Sequence, residues 1–341
     1  MSLVFNAKAY PAGSSKAKIL AEQWNQLSDF RAAGEAGLAQ AMTNAGRTPA
    51  DTYREFDSTT KIEVVAAGHL ALLTRVLAVN KPVNIGKEVY EYRQASRSGT
   101  AVTSMSGQKT VTIDHTAYSY AGTIVPIHDE GFGRPWRQKA AMESEMFDAL
   151  VDDAREAERT LMEHVEKYMF EGNSTVIKGA GWTGLRNDSS VIQATVAVDT
   201  TSTAVSGKVI RDEFKRLKDI IRITNKCTGN LVVGISNATA GRIELEFSEV
   251  NETGVTVQDM ILKLSGISEV VEDASLADNE IVFLFIDEQG FHSVVGMPLS
   301  TYPEVRMSPR ADFNFVKSTA VGFLAKQSKA GLKTALFAAA S

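Results

Sequence analysis

Of the chain's 341 residues, 44% are hydrophobic and 23% are charged, and the formal net charge is −5. That composition can supply a sizeable core, and it lacks the basic excess of a protein that itself grips nucleic acid. The single cysteine, Cys227, excludes an intramolecular disulfide, and no run reaches the ~18 apolar residues of a membrane span.

Residues 1–60 read as an arm. They carry six basic and six acidic residues and one weakly amphipathic helix over Lys16–Met42, with Leu20, Trp24, Leu27 and Phe30 on one face. Gly34 and Gly37 each weaken that helix by about 1 kcal/mol. It therefore needs a partner surface, which another subunit would supply. A helical lead-in, 61–82, holds a helix over Ile62–Leu77 that stops before Asn80-Lys81-Pro82. Residues 83–127 alternate as strands do. Val89, Tyr90, Tyr92 and Arg93 lie on one arm, Val111, Ile113, Tyr118, Tyr120 and Ile124 on the other, around the small, polar stretch Ala95–Gly107. This predicts a long two-stranded ribbon with a loose tip. Such a ribbon is marginal in water unless it lies on something.

The strongest helical signal runs from Arg137 to Phe170, after Pro135 and before Gly172. Among Met142, Met146, Phe147, Leu150, Val151, Ala154, Ala157, Leu161, Val165 and Met169, spacings of three and four dominate. At 1.5 Å per residue the helix is roughly 50 Å long. The absence of further heptads argues against a coiled coil. Its other face is acidic (Glu143, Glu145, Asp148, Asp152, Asp153, Glu156, Glu163 and Glu166) and reads as a solvated face or a subunit contact, not an acid–base pair. Gly179-Ala-Gly-Trp-Thr-Gly-Leu185 is a glycine-rich turn region.

Residues 201–300 form an α/β module. Ser206 caps a helix through Ile221 with Val209, Ile210, Phe214 and Leu217 inward; Leu231–Ile235 is a buried strand; Ser236 and Asn237 cap a helix holding Ile243 and Leu245. Thr256 caps another helix through Leu264, closed by Gly266. The continuous apolar run Ile281–Ile286 predicts a central strand. Three strands end the chain, at Tyr302–Met307, Phe313–Lys326 and Leu332–Phe337.

Catalytic and ligand-binding signatures are nearly missing. The histidines are His69, His115, His128, His164 and His292, and no two share i,i+4 spacing. They read as packed or surface residues, and Cys227 reads as a small buried apolar one. Gly172-Asn-Ser-Thr-Val-Ile-Lys-Gly179 lacks the order of a phosphate loop. Gly234-Ile-Ser236-Asn-Ala238, after a strand and before a helix, sits where a nucleophile elbow would. Ser236 would then draw on His292, the only later histidine, or it is simply a helix cap. The sequence nominates no catalytic, cofactor-binding or metal-binding residue and no cofactor. The N-terminal Met-Ser-Leu-Val-Phe has no signal-peptide apolar core, so the sequons at Asn173, Asn187, Asn237 and Asn251 are chance matches.

The order of parts resembles the major capsid protein of tailed bacteriophages of the Hong Kong 97 type. Pro82-Val-Asn-Ile-Gly86 leading to Tyr90-Glu-Tyr-Arg93 and then Ser104-Met-Ser-Gly107 looks like that family's extended loop. Gly181-Trp-Thr-Gly-Leu185 resembles the segment after its spine helix, and Phe313–Lys326 with Ala335-Leu-Phe337 its closing strands. The resemblance implies an α+β fold: an N-arm (1–60), the lead-in (61–82), an extended β-hairpin loop (83–127), a peripheral domain with the spine helix (128–200), an axial α/β domain (201–300) and return strands of the peripheral domain (301–341). It further implies a non-enzymatic coat protein that self-assembles through pentamers and hexamers into an icosahedral shell around double-stranded DNA, without sequence-specific binding or a membrane. Portal and scaffolding or decoration proteins would be partners, and assembly would take place in the host bacterial cytoplasm, giving a virion capsid. Some members join subunits through Lys–Asn isopeptide bonds. Lys87 and Lys109 lie in the ribbon, but nothing in the sequence shows that chemistry. An encapsulin-type nanocompartment shell shares the fold, and an α/β hydrolase-like enzyme is a third reading.

Overall fold

A computed structural model describes residues 18, 70–107, 113–144, 149–245 and 254–340. The chain divides into two units, Met1–Ile62 and Glu63–Ser341, and the second contains every described strand. The expected arm helix Lys16–Met42 lies outside the described residues apart from Lys18, which is helical and exposed. In chain order, helix α1 (Ala71–Ala78) leads into β1 (Asn80–Pro82), and β2 (Val89–Ala95) and β3 (Tyr118–Ile124) make a ribbon. Next come β4 (Ile127–Arg134), α2 (Trp136–Ser144), α3 (Ala149–Glu171) and the hairpin β5 (Asn173–Ile177) and β6 (Ala180–Trp182). Strand β7 (Ile192–Val196), α4 (Gly207–Asp219) with a π-turn at Ile220–Thr224, β8 (Leu231–Ile235), α5 (Asn237–Ile243), α6 (Val257–Leu262) and β9 (Ile267–Glu272) follow. The last strands are β10 (Ile281–Leu284), β11 (Phe291–Pro303), β12 (Phe313–Ala325) and β13 (Ala335–Ala340).

The apolar run at β10 is continuous because both its faces are covered. It lies in the middle of a five-stranded sheet ordered β7-β13-β10-β8-β9. Successive side chains of a strand point to opposite faces. Ile281 and Phe283 join Ile210, Phe214 and Leu217 of α4, whereas Val282 and Leu284 join Leu72, Leu73 and Val76 of α1. Strand β13 divides in the same way, with Leu336 and Ala338 toward α4 and Ala335 and Phe337 toward α1. A second sheet, ordered β1-β11-β12-β4, packs against α3.

Strand pairing joins segments that lie far apart in the chain. Strands β7 and β13, expected with the peripheral domain, pair with each other, and β13 also pairs with β10. Strand β11, mostly within the expected axial segment, pairs with β12 in the other sheet. Ending the chain in the five-stranded sheet gives β10 a neighbour on each side, which its two-faced burial requires. Smaller corrections concern element ends. Residues 304–307 are not strand, so the strand expected at Tyr302–Met307 belongs to β11 only through Pro303. Leu70 has φ +63°, so a helix cannot pass through it, and α1 starts at Ala71; 62–69 lie outside the described residues. The expected spine is seen as α2 and α3, with 145–148 outside the described residues. Val209 faces solvent, and Ser206 stands at the N-cap of α4 without a side-chain bond.

The turn after the spine closes it. A helix leaves its last four carbonyls without intrahelical donors. Here the N–H groups of Gly172, Leu185 and Arg186 donate to the carbonyls of Tyr168, Met169 and Phe170 at 2.9, 3.0 and 3.1 Å. Trp182 Nε1 adds a bond to Tyr168 O at 3.2 Å. Gly172 (φ +66°) and Gly184 (φ +86°) meet backbone to backbone, where a Cβ on either would stand within 2.3 Å of the other's segment. Lys178 and Gly179, both at positive φ, make the tight turn between β5 and β6.

Candidate assembly surfaces

The ribbon is paired from Val89↔Ile124 to Ala95↔Tyr118. Polar bonds extend it toward the tip: Ser96 N to Ala117 O at 2.8 Å, Ala117 N to Ser96 Oγ at 2.8 Å, and the hydroxyls of Ser98 and Thr116 at 2.9 Å. Its root is held by the turn after β12. There the Tyr92 hydroxyl accepts from Gln327 N at 2.8 Å, and Gln94 Nε2 donates to Gln327 O at 3.0 Å. Beyond the root the ribbon exposes Tyr118, Tyr120, Met105 and Ile113, the last at 85%. Ile113, expected in a strand, is outside one; Val111 and Lys109 lie outside the described residues. Lys87 is exposed.

A second extension is the far end of β11 and β12, whose pairing shifts register between Val295 and Ser300. It exposes Leu299, Tyr302, Val305 and Met307, the last at 91%. Arg306 sits 3.7 Å from the centre of the Phe313 ring and donates to the Pro309 and Ala311 carbonyls, so the tip is ordered by its own contacts. Scattered exposed apolar residues are ordinary, but contiguous ones mark interaction surfaces. An open groove of about 570 Å³ runs between β4 and α3, lined in part by Glu130, Phe132, Arg134, Gln138 and Glu156.

The seam between the four-stranded sheet and the spine is polar as well as apolar. Arg134 grips Asp153 through two bonds of 2.5 and 2.7 Å, and the buried Lys317 reaches Glu158 at 2.6 Å. Between these pairs and the helix end, the buried His128 ring meets His164 and Tyr168 at centroid distances of 5.3 and 5.1 Å. Burial pulls the His128 imidazole below the usual histidine range and pushes the Tyr168 phenol above its own. Glu166, expected on the solvated face, is instead 1% exposed. It accepts from Leu70 N at 3.0 Å and from the Ser275 hydroxyl, while Asp273 accepts from Leu72 N at 3.4 Å. Two carboxylates from separate lobes thus meet the positive end of α1. The sequence holds a signal for Glu166: it stands four residues after Met162 and three before Met169, on the apolar stripe.

The residues weighed for chemistry are dispersed. Ser236 accepts from Thr239 N at 3.3 Å, as a helix cap does, and its hydroxyl donates to Thr239 Oγ1 at 3.1 Å. That bond continues through Thr200 to Asn279. His292 belongs to β11 in the other sheet, so the Ser236–His292 pairing has no support. Its imidazole is pushed down to about 4 by burial and by nearby Lys326. Cys227 is buried against the α4 side of the five-stranded sheet. His115 and His164 are exposed, and His69 lies outside the described residues. Among the described residues no group of three His, Cys, Asp or Glu side chains is arranged to hold a metal ion.

The chain belongs to a family of unknown function, DUF6260, which it matches over residues 42–338. No curated protein matches it. Solved structures do. The capsid of the myovirus phage XM1 is 13% identical and superposes with a TM-score of 0.60, covering 86% of this chain and 100% of that one. Microbacterium phage Oxtober96 gives 10% identity and a TM-score of 0.58, covering 84% and 95%. A virus-like particle from Pyrococcus furiosus gives 12% and 0.52, covering 78% and 91%. The fold is therefore the Hong Kong 97-type capsid fold, as the order of segments implied.

Proposed function

We propose that this member of the family is a major capsid protein, which assembles through pentamers and hexamers into an icosahedral shell enclosing double-stranded DNA. The observation that carries the reading is a capsid-type fold whose two long extensions expose large apolar residues. A two-stranded ribbon is marginal alone, and a contact between unlike patches that closes by rotation builds rings. In this reading the four-stranded sheet and spine are the peripheral part, the five-stranded sheet is the axial part, and residues 1–60 are the arm. The role is structural and not enzymatic. Portal and scaffolding or decoration proteins are the expected partners, the host cytoplasm is the place of assembly, and no sequence-specific contact with DNA is required.

Electron microscopy of the protein expressed in bacteria tests this. Shells, rings or tubes are expected, and a strictly monomeric sedimentation profile at high concentration overturns the proposal. Tyr118→Ser combined with Tyr120→Ser should abolish shells while leaving the melting temperature within about 2 °C, because exposed positions contribute little to folding. Likeness to the Pyrococcus particle favours a second reading, a nanocompartment shell. Shells from the native source that hold a protein cargo and no DNA would decide for it.

A further inference from the structure

We propose that the seam between the four-stranded sheet and α3 is an acid-sensitive joint, opened by protonation of His128. This goes beyond the shell reading and does not depend on it. His128 projects from β4 into the seam, opposite Thr319 of β12. Its Nε2 lies 3.3 Å from the Val321 carbonyl oxygen, which holds the neutral ring as an N–H donor. Against the ring lie the His164 imidazole, tilted at 68°, and the Tyr168 ring, whose hydroxyl is buried with no hydrogen-bond partner among the described residues.

Of the charged groups around it, His164 opposes a second proton and Asp129 favours one from the far face of the strand. On its own strand, Asp129 alternates to the opposite face and takes the Ser318 hydroxyl at 2.5 Å, while Glu130 faces the open groove. From β12, Lys317 adds a positive charge, and it is matched by Glu158 of α3. From α3, the facing titratable groups are His164, which repels a protonated His128, and Tyr168, which is neutral. A proton on His128 therefore enters a buried site beside a second imidazole, and opening the seam is what hydrates it. Burial, the largest influence, pulls its titration below the usual histidine range against the opposite pull of the Val321 carbonyl and Asp129. The joint matters because β4 and β12 are the strands of this sheet that pack on α3, and the Arg134–Asp153 and Lys317–Glu158 pairs lie on the same seam.

Hydrogen–deuterium exchange on the full-length protein tests it. Exchange is compared at about pH 7.5 and about pH 5.5, corrected for the intrinsic pH dependence of amide exchange, across the range where an ordinary histidine titrates. Peptides covering 127–134 and 157–168 should exchange about tenfold faster at the lower pH, the effect of one proton taken up on opening over one pH unit. Peptides from β8 and β10 should not change. His128→Gln retains a side-chain N–H for the Val321 carbonyl and cannot ionise, so it should abolish the rise. Wild-type exchange in the seam that ignores pH, or an H128Q variant with the same rise as wild type, overturns the proposal. If H128Q does not fold, His164→Asn on the exposed partner ring replaces it. That variant should shrink the rise, and an undiminished rise overturns the proposal equally.

Discussion

Replacing Gly184 with alanine strikes the closure of the spine at its tightest point. The new Cβ would fall 2.3 Å from the Phe170 carbonyl oxygen and from the Glu171 carbonyl carbon, at a residue with φ +86°. A left-handed conformation costs a residue with a Cβ about 1–2 kcal/mol. Backbone atoms cannot swing aside as the end of a side chain can. Relief must come from moving the loop, which strains the bonds from Leu185 and Arg186 to the Met169 and Phe170 carbonyls. At about 1 kcal/mol each, these raise the expected loss to about 3–4 kcal/mol. Gly179→Ala is the control. Gly179 also has positive φ, +81°, but its Cβ would meet nothing within 4 Å, so only the conformational part, about 1–2 kcal/mol, is expected. Denaturant titration followed by tryptophan fluorescence, to which the buried Trp182 contributes, measures both. A G184A loss no larger than that of G179A would refute the argument that backbone packing, beyond handedness, demands glycine there.

Two further predictions concern buried ionisable groups. Glu166→Gln should lower stability by about 1–3 kcal/mol, because it weakens the acceptor for Leu70 N and the Ser275 hydroxyl and removes a charge from a helix N-terminus; Glu163→Gln on the outward side of the same helix should stay within about 0.5 kcal/mol. His292 has a folded-state value of about 4, below the ordinary ~6.5. The fold therefore prefers its neutral form, and the stability this gives is complete above about pH 6.5 and is lost as pH falls from there toward 4. The loss amounts to at most about 3 kcal/mol, and His292→Asn should flatten the fall of melting temperature over that window.

Much of the fold is legible in the sequence because local rules and tertiary packing agree. The run Ile281–Ile286 reads as a central strand, and β10 is buried on both faces. The capping of α5 by Ser236 follows from a strand ending at a serine before a helical pattern. Other features are fixed by distant partners. Nothing local tells β13 to leave the segment before it and pair with β10 and β7. Leu70 looks like part of a helix, but Glu166, ninety-six positions away, captures its N–H and lets the chain turn there. The acidic residues of the spine read as one solvated face, yet Asp153 and Glu166 each hold a specific donor from another element. Charges of one sign look alike in sequence until their partners are known.

The distribution of apolar side chains separates folding from association. The three apolar clusters are built from α1, the spine, α4, α5, α6, the two sheets and the root of the ribbon. None of them uses Met105, Ile113, Tyr118, Tyr120, Val305 or Met307. These side chains contribute nothing to the core, and each keeps apolar area in water at about 25 cal/mol per Å². Burying such area against another copy would recover that energy without touching either core. Stability of the subunit and strength of the shell should then vary independently. Substitutions at Gly184 or Glu166 act on the first, and substitutions at Tyr118 and Tyr120 on the second. A ribbon variant that lowered the melting temperature of unassembled protein as much as a spine variant does would show that the extensions belong to the fold itself, and would remove the physical basis for assigning them to assembly.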